Sequence, residues 1–166
     1  MRNRLFLVAA AVAMAVGVSA SPVSASTNNP PHRDFAFNVV KMNGQNEIDP
    51  AGNPGAGDPD GKGTFAFVAF DSKFCYLLTV RKIDTPVASH VHMAAAGVNG
   101  GIAFFLDTPT NGVSANCITA EPDTTPNTPM VLVQSELDAL IANQANFYAN
   151  VHTAAFPAGA IRGQLG

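Results

Sequence analysis

Short runs of alternating character, cut apart by proline and glycine, constrain this chain more than any other feature. Phe35, Phe37 and Val39 alternate with Ala36, Asn38 and Val40; Phe65 and Phe67 alternate with Ala66 and Val68; Phe74, Tyr76, Leu78 and Val80 alternate with Cys75, Leu77, Thr79 and Arg81. A period of two belongs to extended chain, in which residues i and i+2 share a face, so these runs are strands. Further strands are expected at 88–93, 101–106, 147–153 and 160–165, with Pro- and Gly-rich connectors at 49–63, 97–100 and 121–129. Asp71-Ser72 is short enough to join two runs as a tight hairpin, although it lacks the glycine that two-residue turns favour. One helix interrupts the pattern: Ser135 is placed to cap a short segment in which Leu137, Leu140 and Ile141 recur at helical spacing, with Glu136 and Asp138 near its start. Many short strands and one short helix predict an all-β fold, an antiparallel β-sandwich.

The beginning of the chain reads as an export signal. Arg2 and Arg4 precede an apolar run over 5–18, and small residues offer cleavage after Ala20 or Ala25. The run falls short of the roughly 20 residues that a membrane-spanning helix needs. No cysteine follows either cleavage site to carry a lipid, and no hydrophobic tail precedes Gly166. The expected organisation is a signal peptide over 1–25, a Thr-, Asn- and Pro-rich lead-in over 26–34 that includes His32, and one domain over 35–166. The product is expected to be secreted, with no stable membrane anchor. Losing Arg2 and Arg4 takes nine cations to seven against the same twelve carboxylates. That acidic balance, with no basic cluster in the sequence, argues against nucleic acid as a partner. Cys75 and Cys117 are the only cysteines. In an exported chain they are expected to form a disulfide, worth roughly 4 kcal/mol by the chain-entropy relation, rather than to bind metal.

Three of the four histidines sit in strand-like segments. His90 and His92 share a face of their strand, opposite Val91 and Met93. In the later strands Tyr148, Asn150 and His152 form one row, and Arg162 and Gln164 oppose Ile161 and Leu165. If these strands are neighbours, one polar face collects all seven side chains. Two readings follow. In the first the histidines are a hydrogen-bonded seam that sets the sheet register, which is the simpler account because His-x-His alone is a weak signal. Alternatively His90, His92 and His152 hold Cu or Zn through three imidazole nitrogens. Other chemistry is poorly served. Asp58-Pro59-Asp60-Gly61 opens like a calcium loop but lacks the later ligands. Ser89 beside His90 points to the opposite face, so it is no nucleophile for that base. Arg162, a lone arginine in a terminal strand, is expected to pair with a neighbouring carboxylate or carbonyl rather than to bind an anion.

Gly44-Gln45-Asn46-Glu47, Gly63-Thr64-Phe65-Ala66-Phe67, the stretch 90–100, and Asn150-Val151-His152-Thr153 with Pro157 to Leu165 together resemble a CHRD domain, the module first described in chordin. Ala94 and Gly101 depart from the family pattern, which commonly has Gly and Pro there. The resemblance implies an extracellular domain of undefined ligand and not an enzyme, so the expected partner is an extracellular protein or glycan. His-x-His also resembles the copper ligands of copper-zinc superoxide dismutases, but no histidine lies between His92 and His152 to serve as bridging or zinc ligand. Dismutase activity is therefore not expected.

Overall fold

The computed structural model describes residues 35–126 and 131–166; the expected signal peptide, the lead-in and His32 lie outside them. Eight strands follow one another: β1 (Phe35–Asn43), β2 (Lys62–Phe70), β3 (Lys73–Arg81), β4 (Pro86–Met93), β5 (Gly101–Phe105), β6 (Val113–Thr119), β7 (Phe147–Thr153) and β8 (Ile161–Gln164), with helix α1 (Gln134–Ala142) between β6 and β7. All pair antiparallel in one sheet of order β5-β4-β7-β8-β1-β2-β3-β6. The two halves of that sheet meet at a single register pair, Asn43 with Arg162, supported by Asn38 Nδ2 donating to Leu165 O at 2.9 Å. So narrow a joint lets the sheet curl over itself. Phe74 of β3 thereby meets Phe104 of β5 edge to face, with ring centroids 5.0 Å apart. The all-β antiparallel expectation is met by one curled sheet whose halves face each other across the core.

Period two says which residues share a row but not which row turns inward. In β1 the inward row is Ala36, Val40 and Met42, and Phe35, Phe37 and Val39 face out. The reason is α1, which lies against β1 and β2 and buries Leu137 and Leu140. Ala36 and Ala69 stand opposite each other in the register, and their small side chains leave the helix room. Phe65, Phe67, Phe74 and Tyr76 of β2 and β3 fill the centre, with ring centroids 5.5 to 6.3 Å apart. Fully burying one such ring contributes about 1.5–3 kcal/mol. β5 carries one extra residue at a bulge against Val91/His92. That bulge lets both Ala103 and Phe104 reach the core.

Local details depart from expectation in two places, the cap of α1 and strand β6, while the tight hairpin between β2 and β3 forms as expected. Ser135 does not cap α1: Val133 holds the N-cap position, and the free Ser135 N–H is taken by Asp123 Oδ1 at 2.9 Å, a cap supplied from twelve residues upstream. The hairpin at Asp71-Ser72 forms without glycine, Asp71 itself adopting φ 50. Finally, β6 is a strand the pattern did not announce. Its rows, Val113, Ala115, Cys117 and Thr119 against Ser114, Asn116 and Ile118, do not separate by polarity because it is an edge strand. Cys117 pairs there directly opposite Cys75, and the two form the disulfide.

Candidate functional site

β4, β7 and β8 are consecutive in the sheet. Their register sets Ala88 opposite His152, His90 opposite Asn150 and His92 opposite Tyr148, then Asn150 opposite Arg162 and Tyr148 opposite Gln164. Directly opposed residues share a face. His90, His92, Tyr148, Asn150, His152, Arg162 and Gln164 therefore stand on one surface, and Val91, Phe147, Ala149, Val151 and Ile161 belong to the apolar core on the other.

That polar surface is not an open face. Tyr148 and Arg162 are each 2% exposed, and His90, His92 and Asn150 are buried too; only His152 and Gln164 are half-buried. Two loops close over the row, 44–58 after β1 and 94–100 before β5. Arg162 donates through Nη2 to Val98 O at 2.8 Å and through Nη1 to Asn99 Oδ1 at 3.2 Å. Gln164 Nε2 donates to Ala94 O at 2.9 Å. Asn99 Nδ2 in turn donates to Ile48 O at 2.9 Å, tying one loop to the other. Arg162 thus finds the carbonyl partners expected of it. Its guanidinium also lies 3.4 Å from the Tyr148 ring centroid, and that ring stacks parallel on His92 at 4.7 Å, a cation–π ladder across three strands. A cavity of about 300 Å³ reaches Arg162 and Gln164 between Asn46 and Gly97.

The sequence reading gave no role to Glu47, whose carboxyl proves to be buried in this interior near Arg162. Burial pushes its carboxyl up to about 7, against the pull of Arg162 and a hydrogen bond from Asn150. One of its oxygens, Oε1, is buried without a hydrogen-bond partner. Gly159, at φ 143, is required beside it, because a Cβ there would lie 2.5 Å from the carboxylate. The available signal was a lone carboxylate inside the Gly44-Gln45-Asn46-Glu47 motif.

The histidines close the other end of the row. His92 Nδ1 lies 3.0 Å from Gly100 O, and His152 Nδ1 lies 3.0 Å from Pro157 O. A carbonyl only accepts, so both Nδ1 atoms carry the proton and both Nε2 atoms keep a lone pair. His152 Nε2 is 3.2 Å from His90 Nδ1 and 3.1 Å from Asn150 Oδ1. His92 Nε2 is buried and has no hydrogen-bond partner. Burial first, then the neighbouring imidazoles of His152 and His92, lowers His90 to about 4. Burial likewise holds His92 and His152 below the ordinary imidazole value. All three rings are therefore neutral near pH 7, the form that binds a metal. Their ligand atoms lie within 4.8 Å of one another, and this is the one such group of His, Cys, Asp and Glu among the described residues.

The remaining candidates have structural roles. Asp58 Oδ1 accepts from the N–H groups of Asp60 and Gly61, closing a turn. Ser89 points away from His90 and donates to Leu106 O and Asp107 O at 3.3 and 3.2 Å.

Comparison with known proteins agrees with this architecture. A family model for the CHRD domain matches residues 39–165. No match was found among curated proteins or among solved structures. The disulfide is consistent with an extracellular protein, and among the described residues no helix is long and apolar enough to cross a membrane. Over residues 39–165, from within β1 to just past the end of β8, this chain belongs to the CHRD domain family.

Proposed function

We propose that this CHRD domain is a non-catalytic binding module, exported by its N-terminal signal, that holds one Cu or Zn ion between His90, His92 and His152. The observation that carries the reading is the lone pair of His92 Nε2, buried and unpartnered on a ring whose other nitrogen is committed to Gly100 O. A buried acceptor left unmatched costs about 1–3 kcal/mol, which an ion bound there would recover. Backbone carbonyls fix the tautomers of His92 and His152 in the way that outer partners orient metal-binding imidazoles.

Distances support the same reading. Metal–nitrogen bonds of about 2.0–2.1 Å place tetrahedral ligands about 3.4 Å apart. His90 Nδ1 and His152 Nε2 are already 3.2 Å apart. The 4.8 Å outer span of the trio requires one ring to close by roughly 1.5 Å. His152 Nε2 and Asn150 Oδ1 face each other at 3.1 Å, a contact that a cation, or rotation of the amide to present Nδ2, makes favourable. The Phe105 ring, nearly perpendicular to that of His90 with centroids 4.4 Å apart, and the carbonyls of Gly100 and Pro157 flank the trio, an arrangement suited to holding an ion rather than to turning over a substrate.

Calorimetric titration of chelator-treated protein with Zn²⁺ and Cu²⁺ tests this. The expected result is one ion per chain, retained in His32→Ala and lost in His92→Ala and in His152→Ala. Absence of saturable, histidine-dependent heat would sink the proposal. N-terminal sequencing of secreted protein tests export, with residue 21 or 26 expected first.

A further inference from the structure

The half-sheet β1-β2-β3-β6 has its own outer face, turned away from the apolar core and distinct from the histidine site. The register places there the odd-numbered residues of β1, β3 and β6 and the even-numbered residues of β2. Phe35 is 67% and Phe37 63% exposed on it, and Val39, Phe70, Leu77 and Val113 are exposed beside them. Those six are the majority of the ten large hydrophobic residues exposed among the described residues, so the apolar exposure is concentrated, not scattered.

The same face is cationic. Lys41, Lys62, Lys73 and Arg81 stand on it, four of the nine cations of a chain whose net charge is −3. No carboxylate occupies any position of that face. Lys41 and Lys73 donate instead to the hydroxyls of Thr64 and Thr119. Sequence separates these cations, and strand pairing gathers them. Lys41, Lys62 and Arg81 converge with Thr64 and Thr79 around a groove of about 310 Å³. From that groove Val39, Phe37 and Phe35 continue along β1, same-face residues about 7 Å apart.

We propose that this face binds an acidic polysaccharide. The groove takes a carboxylate or sulfate on Lys41, Lys62 and Arg81 and the sugar hydroxyls on Thr64 and Thr79, and the aromatic row stacks on the sugar rings that follow. Charge complementarity selects an anion for a positive face on an acidic protein. The hydroxyl-lined groove selects among anions: a lipid surface would use the cations and the rings but not the threonines, whereas an acidic sugar chain uses all three.

Affinity electrophoresis of the chelator-treated chain tests this, with polygalacturonate, dextran sulfate and neutral dextran in separate gels. Retardation is expected from one or both anionic polymers, which tells carboxylate from sulfate recognition, and none from neutral dextran. Lys62→Glu combined with Arg81→Glu should weaken binding by about tenfold or more, and added salt should weaken it further. Phe37→Ser should weaken it at unchanged charge, and His92→Ala should leave it intact. All these side chains but His92 lie on the exposed or half-exposed outer face, so an unchanged thermal transition verifies folding. The proposal is overturned by absence of retardation, by retardation that Phe37→Ser and the charge reversals leave unchanged, or by preference for anionic vesicles or a random oligonucleotide over both polymers.

Discussion

β7 separates two interiors of opposite kind. On one side Phe147, Ala149 and Val151 join an apolar core held by close packing; on the other Tyr148, Asn150 and His152 join a polar interior with Arg162 and Glu47. The first is non-directional, so shape and volume govern it. The second is directional: each donor needs its acceptor at one place, and loops 44–58 and 94–100 are fastened by those bonds. The difference teaches that a polar row in this sheet is a means of immobilising loops. The histidines sit at its rim, where His92 leaves a buried nitrogen unmatched.

The largest expected effects come from cutting each interior at its centre. Phe74→Ala and Arg162→Met should each destabilise the fold by about 3–5 kcal/mol in urea denaturation, one by leaving a cavity and the other by leaving Glu47 and the loop carbonyls unpaired. The contrast sharpens with a second change: Glu47→Leu should restore part of the stability of Arg162→Met and none of that of Phe74→Ala. Equal rescue of both would erase the distinction between the two interiors.

Replacing both Cys75 and Cys117 by Ala should cost about 2–4 kcal/mol, measured in the same way. Because the disulfide joins β3 to β6, at the far end of the sheet order from β4, metal affinity should stay within about twofold. A larger loss would mean that the halves are coupled.

Acidity separates groups within the polar interior. A carboxyl raised from 4.5 to about 7 keeps its proton in the folded chain after the unfolded chain has lost it. The contribution of Glu47 is thus fully present below pH 4.5 and lost as pH rises through about 7. His90, lowered from 6.5 to about 4, behaves oppositely: its contribution is present above pH 6.5 and lost as pH falls through about 4. In chelator-treated protein, Glu47→Gln should therefore gain stability relative to the parent as pH rises from 4.5 to 7, by at most roughly 3 kcal/mol. Thermal unfolding across that range checks it, and a gain in the reverse direction would refute the assignment. The smallest effect belongs to the outer face, where Phe37→Ser should shift stability by less than about 0.5 kcal/mol because the ring packs on neither interior.

Much of the fold was legible. The alternation around His152 predicted a strand over 147–153, the span that β7 occupies, and the rows around His90 and Arg162 fall on the sides that period two assigns. β6 was not legible, since an edge strand exposed on most of its length needs no apolar row. The cap of α1 was misassigned to Ser135 because its partner, Asp123, is distant in sequence. The seven polar residues of the candidate site were legible as a set. Their burial was not, nor was Glu47, because both depend on where the loops dock.

What the sequence determined by itself is what covalent geometry carries: period two fixes which side chains share a face, and Cys75 and Cys117, the only two cysteines, allow one intrachain disulfide. The motifs around Gly44, Gly63, His90 and Asn150 together point to the CHRD family. The tertiary structure alone decided which strands are neighbours, which row is interior, and that Lys41, Lys62, Lys73 and Arg81 gather on one surface. Pairing between strands far apart in sequence is chosen by the packing and hydrogen bonding of the whole chain, and no local pattern contains it.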